Sequence, residues 1–158
     1  MKKRNFSSVL EYDVGEADVG IRQFSFVQTH GGKTEWELQA DHAEVFEKDQ
    51  KAYLKGVAVT IQTRDGWHLK LEGDEGAIDT LHKNFSLNKK TDLMMIDFGD
   101  DFIIETSGLK WFNETREIVT EGPARISGPQ IEVEGTQVRV VVENQEMIVL
   151  GDVKALFY

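Results

Sequence analysis

The sequence predicts an all-β fold: two facing antiparallel sheets built from repeated β-hairpins. Three observations predict it. Apolar and polar residues alternate along most of the chain, the period of half-buried strands. No window keeps an apolar i, i+3, i+4, i+7 stripe for three turns, so no helix longer than two turns is expected. One frame of residues returns four times, and repeats at such a period mark a modular architecture.

Residues 1–20 are rich in Asp, Glu and Gly and show no alternation, so they read as a flexible lead-in to a single domain over 21–158. Alternation then runs through Phe24 and Phe26, and through Trp36, Leu38 and Ala40. It continues in Val57, Val59 and Ile61, and in Trp67, Leu69 and Leu71. Phe102 and Ile104, Ile131 and Val133, then Val138, Val140 and Val142 keep the same step, and Val153, Ala155 and Phe157 close the chain.

The repeat is anchored by a small residue: Ala40, Gly73, Thr106 and Gly135, spaced 33, 33 and 29 residues apart. Sixteen residues after three of these stands a glycine (Gly56, Gly122, Gly151), with Lys89 in the second copy. Nine residues after each anchor comes a polar break, at Asp49, His82, Thr115 and Asn144. Each unit therefore reads as a hairpin whose first arm ends near anchor +6 and whose second begins near +12. The anchor itself reads as a bulge or a close approach, because glycine otherwise weakens a strand interior. Asp97 to Asp101, "DFGDD", reads as a tight turn between strands at 92–98 and 101–111. A single sheet of this many strands curls or splits, so two packed layers are expected.

Composition sets the outer limits. The chain of 158 residues is one ordinary domain, and 40% hydrophobic with 29% charged residues is a globular balance. With no cysteine, disulfides, thiolate metal sites and a cysteine nucleophile are excluded. A net charge of −10 opposes nucleic-acid binding, which needs clustered Lys and Arg to neutralise phosphates. The one basic cluster, Lys2-Lys3-Arg4, is followed by no apolar signal region, and no apolar run of 18 or more residues occurs.

The search for catalytic chemistry ends without a nucleophile or base. His30, His42, His68 and His82 show no metal-ligand spacing and read as ordinary polar positions. "DFG" lacks the companion motifs of a kinase, and the acidic residues around it lack the alternation and closing Glu of a calcium loop. Asp41/Glu44 and Asp74/Glu75 read as solvated charge, and the sequons at Asn5, Asn84 and Asn113 are short enough to arise by chance. No metal, no cofactor and no enzyme activity are therefore expected. What remains is surplus apolar surface at Trp36, Trp67, Trp111, Phe85, Phe102 and Leu93 to Ile96. The plainer reading is a sandwich core; the sharper one is a groove between the sheets, walled by adaptable aromatics and methionines.

Residues Gly20 to Phe157 carry a family resemblance, mainly in "WELQADHAEVFEKDQKAYLKGVAVTI" with its Trp36, Leu38, Ala40, Ala43 step, and in the later "IETSGLKWFNETREIVTEGPARI" with Thr120 and Pro123. This pattern resembles LptC, the periplasmic C component of lipopolysaccharide transport, and the wider OstA-like group. The resemblance implies a twisted β-jellyroll and no catalysis. It implies a relay at the periplasmic face of the inner membrane, anchored by a single span ahead of the domain. Such a relay accepts lipopolysaccharide from an inner-membrane ABC transporter at its N-terminal edge and passes it to the periplasmic A component at its C-terminal edge. Lipid A acyl chains would lie along Leu38, Val57, Val59, Leu69, Leu71, Phe85, Phe102, Ile104, Trp111, Val133 and Val140, with sugars and phosphates outside. The last arm lacks proline and is apolar from Val149 onward, so it is a weakly guarded edge. Val149, Gly151, Val153, Ala155 and Phe157 are therefore expected to dock the partner. Two other classes compete: a structural or adhesive β-repeat scaffold without a lipid, and a β-sandwich hydrolase, for which no convergent polar site is found.

Overall fold

A computed structural model describes residues 17–99 and 101–158. The expected lead-in falls outside the described residues up to residue 16, as does Asp100 of the "DFGDD" turn. Every regular element among the described residues is a strand. Four long ones come first: β1 (Val19–His30), β2 (Lys33–Phe46), β3 (Lys51–Gln62) and β4 (His68–Asp79). Ten short ones follow. They are β5 (Asn84–Asn88), β6 (Met94–Asp97), β7 (Ile103–Thr106), β8 (Gly108–Phe112) and β9 (Glu117–Thr120), then β10 (Ala124–Ser127), β11 (Ile131–Gly135), β12 (Gln137–Val141), β13 (Glu146–Leu150) and β14 (Lys154–Phe157).

They make two antiparallel sheets that do not close into a barrel, the β-jellyroll form. One runs β1-β2-β3-β4-β5-β8-β9-β12-β13 and the other β14-β11-β10-β7-β6. β1 to β4 are long because each bends through a corner and contributes to both layers. The remaining strands stop at the corner and restart in the other layer.

The repeat anchor is the last inward residue before that corner. In β2 the buried positions are Trp36, Leu38 and Ala40, then Ala43, a step of three instead of two. β3 makes the same step between Leu54 and Val57. One extra residue at the bend flips the alternation, so apolar side chains still face inward as the strand turns. Cross-strand pairing skips the same place: Ala40 pairs with Val57 and His42 with Lys55, leaving Asp41 and Gly56 without partners in that ladder. Gly56 holds a φ of 63°, and a Cβ there would stand 2.2 Å from Asp41 Oδ2. Glycine supplies both the left-handed backbone and the space.

Thr106 ends β7 and Gly108 begins β8 in the opposite sheet, so the single strand expected over 101–111 is two strands. The break at Ser107 is stabilised because Thr106 Oγ1 donates to the Gly108 carbonyl at 3.2 Å. Thr120, at the end of β9, does the equivalent by donating to the Gly122 carbonyl at 3.3 Å, and it also accepts from the Val138 N–H at 2.9 Å. A chain that turns out of a sheet leaves backbone groups unpaired, and these hydroxyls satisfy them.

The polar breaks are four-residue turns at 47–50, 80–83, 113–116 and 142–145. The last residue of each takes a positive φ: Gln50 55°, Lys83 65°, Arg116 55° and Gln145 55°. The "DFGDD" turn is also tight, with Phe98 N donating to Phe102 O and Phe102 N to Gly99 O, both at 2.9 Å.

Candidate functional site

The layers are joined along the corner, and their inner faces meet in one apolar cluster. Leu38, Val57, Val59, Leu69, Leu71, Phe85, Ile104, Trp111 and Val140 are all buried within it. Val133 and Phe102 are partly buried and pack against it. All eleven expected groove residues therefore belong to, or border, one interior, and that interior is filled by its own side chains.

Opposite the corner lies the mouth, where hairpin turns of the two layers face each other. An aromatic ladder crosses behind it. Phe26 stacks on Trp36 with centroids 5.6 Å apart, Trp36 meets Phe85 edge-on at 4.9 Å, and Phe85 stacks on Trp111 at 6.0 Å. Such pairs stabilise by about 0.5–1.5 kcal/mol beyond their burial. Trp36 belongs to β2 and Trp111 to β8, yet both indoles donate to Asn113 Oδ1, at 2.8 and 3.2 Å. Asn113 is held in turn by its N–H, which donates to Asn84 Oδ1 at 2.9 Å. One turn amide thus ties two layers together.

Arg116 completes the closure. Its left-handed backbone directs a half-buried side chain back over the mouth, with the guanidinium 5.4 Å from the Trp111 ring centroid. Nε donates to Glu143 Oε2, and Nη2 donates to the Gln62 carbonyl at 3.0 Å, across the mouth. Glu35 Oε2 stands 3.8 Å from Nη1, and Arg64 Nε stands 3.5 Å from Glu143 Oε1. Nη1 and Glu143 Oε1 are buried without a hydrogen-bond partner among the described residues. Sequence reasoning gave Arg116 and Glu143 no role, because long polar residues in turns read as solvated, and it took Asn113 only as a chance sequon. Only the return of one turn at a fixed offset marked their position.

The C-terminal arm forms the free edge of both layers. Among the described residues β13 pairs only with β12 and β14 only with β11, with the corner at 151–153 between them. Ala155 pairs with Val133 and Phe157 with Ile131, so both share the phase of the interior. Nothing among the described residues covers them, and Phe157 is 71% exposed. Val149 packs against the core, Val153 is exposed, and Gly151 sits at the corner with a φ of 73°. At the other end β1 is the edge strand among the described residues, with Phe24 and Phe26 partly buried.

Elsewhere the surface is plainer. β4 and β6 lie side by side without strand pairing, beneath a depression of about 700 Å³ that includes Trp67, Met94 and Met95. Asp79 accepts from the Leu81 and His82 N–H groups and from the His82 ring. The His82 contact, chief among these, holds the Asp79 carboxyl below its usual range. No cluster of His, Asp and Glu among the described residues is arranged to hold a metal ion.

The comparisons with known proteins agree with this architecture. Residues 3–158 match the family model described as lipopolysaccharide-assembly, LptC-related. The crystal structure of LptH, the LptA-homologous periplasmic component of the conserved lipopolysaccharide transport device from Pseudomonas aeruginosa, is similar in fold. Its TM-score is 0.59 at 16% identity, covering 78% of this chain and 94% of that one. No curated protein matches the chain. The chain belongs to the LptC-related family of lipopolysaccharide-assembly proteins.

Proposed function

We propose that this domain is a periplasmic relay at the inner membrane, holding the acyl chains of lipopolysaccharide between its layers. It receives the lipid from an inner-membrane ABC transporter at the β1 edge and passes it to an LptA-like component at the β13 and β14 edge. One observation carries the reading. Among the described residues the apolar interior runs from the β1 edge strand to the C-terminal edge, where its inward residues Ala155 and Phe157 lie uncovered. A partner strand added to that edge would extend both sheet and interior.

The filled interior sets an energetic condition: the layers must part to admit a chain. Burying a methylene gains about 0.8 kcal/mol, so about twelve of them contribute about 10 kcal/mol. That is comparable to the whole stability of a domain, about 5–15 kcal/mol, so a multiply acylated lipid can drive the opening. The filled interior also favours a second reading, a β-repeat scaffold whose core never opens. Photo-crosslinking decides between them. A benzophenone at Phe102 or Ile104 is expected to capture lipopolysaccharide, while one at outward Tyr53 is not. Absence of capture at every inward position supports the scaffold.

A further inference from the structure

The clasp at the mouth has a ligand chemistry of its own. A guanidinium offers its N–H groups as a planar fork that suits two oxygens at once. Arg116 does not satisfy that fork: Nε reaches one oxygen of Glu143, while Nη1 has no hydrogen-bond partner among the described residues. The second oxygen of Glu143 is likewise unpaired, although Arg64 stands 3.5 Å away. Two cations thus converge on one carboxylate at the lip, with Glu35 the other acid in reach. In a chain of net charge −10, the two guanidiniums here balance the two carboxylates, so the lip beside the apolar interior is locally neutral, and displacing Glu143 would leave the cations in excess.

We propose that Arg116, assisted by Arg64, binds a phosphate of the lipid headgroup at the mouth, and that Glu143 occupies its place while the domain is empty. The inference rests on the interior reading above. A phosphate presents three acceptor oxygens and fills the fork that a single carboxylate oxygen leaves half used. As it enters, Glu143 swings to solvent. The Arg116 hydrogen bond to the Gln62 carbonyl, which spans the mouth, is then free to break as the layers part. The same residue therefore closes the empty domain and recognises the loaded one.

The test uses the full chain with lipid A, the same lipid A after enzymatic dephosphorylation, and inorganic phosphate. Wild type is expected to bind phosphorylated lipid about tenfold more tightly than the dephosphorylated form, a difference of about 1.4 kcal/mol. Arg116→Gln should bring that ratio near one by weakening only the phosphorylated lipid. Glu143→Gln, which removes the competing charge, should raise the ratio severalfold. Millimolar inorganic phosphate should neither compete nor stabilise the protein, because it brings no acyl chain. Equal binding of both lipids by wild type overturns this inference and leaves the interior reading standing. Binding of neither overturns both. An Arg116→Gln variant that keeps the wild-type ratio also overturns it, as does inorganic phosphate that protects the fold as well as lipid A does. If Arg116→Gln fails to fold, Glu143→Gln decides alone, and an unchanged ratio there is a refutation.

Discussion

Ile104→Asp probes the interior most sharply. Ile104 is fully buried at the centre of β7, paired with Ile96 on one side and Ile126 on the other. The only buried polar residues among those described are Thr63, Thr106 and Thr120, so an introduced carboxylate finds no cation. Losing the isoleucine forfeits about 1.5–3 kcal/mol of burial. Desolvation raises a buried carboxyl by about 3–5 pH units, so at pH 7 it folds largely protonated, at a cost of about 4 kcal/mol. The sum, about 6–7 kcal/mol, matches the whole stability of many domains. The sign of the pH dependence follows from the raised value. The charge penalty is absent below the ordinary Asp pKa of about 3.9 and grows as pH rises toward the folded value. Ile104→Asn, similar in shape and uncharged, lacks that dependence. Urea unfolding followed by circular dichroism at pH 4.5 and 7.5 compares the two variants. The gap between them should widen by several kcal/mol at the higher pH. A gap that stays constant, or an Asp variant within about 1 kcal/mol of wild type, refutes the inward placement.

Three further outcomes follow from single contacts. Asn113→Ala removes the acceptor shared by Trp36 and Trp111 and should cost about 2–6 kcal/mol, at about 1–3 per orphaned donor, with a shifted tryptophan emission. Gly56→Ala meets both a positive φ and Asp41 Oδ2 at 2.2 Å, so it should cost about 1–3 kcal/mol. Adding Asp41→Ser should restore part of that loss but not all, since the backbone strain remains, as measured by thermal unfolding. Asp79→Asn should cost less than about 1 kcal/mol at pH 7, because solvent screens the pair. Its folded carboxyl lies below 3.8, so the Asp advantage is present above that range and should vanish as pH falls through the folded value.

The hairpins were legible because their information is local. Alternation of period two and breaks at a fixed offset placed the turns after Phe46, Asp79, Phe112 and Val141. The anchor was visible, but its meaning was not: Thr106, Ser107 and Gly108 look like continuing strand, and only the packing shows the change of sheet. Leu38 and Val57 lie in the same apolar cluster on either side of the phase flip, because each follows the alternation of its own run. Val133 is less buried than its neighbours because β11 lies next to the free edge, a matter of topology. The left-handed turn residues carried no signal, since Gln50, Lys83, Arg116 and Gln145 are not the glycine or asparagine such positions favour. The clasp was invisible because Arg116 and Gln62 are 54 residues apart and meet only when the layers face each other. Lipid and partners came from family resemblance; alternation and spacing gave only an apolar interior and open edges.

Handover through the β13 and β14 edge tests the relay itself. The domain is loaded with lipopolysaccharide, mixed with an LptA-like acceptor carrying an interior photo-crosslinker, and the lipid captured on the acceptor is followed in time. Gly151→Arg is the informative variant, because a Cβ there would stand 1.9 Å from Thr136 Oγ1 and the φ of 73° already disfavours a side chain. It displaces the corner of the free edge while sparing the core cluster, which does not include Gly151. Wild type should transfer its lipid to the acceptor. Gly151→Arg, folded by circular dichroism, should load normally and transfer little, as should the chain truncated before Glu146. Transfer at the wild-type rate by a folded Gly151→Arg protein, or no transfer by wild type, would contradict the relay.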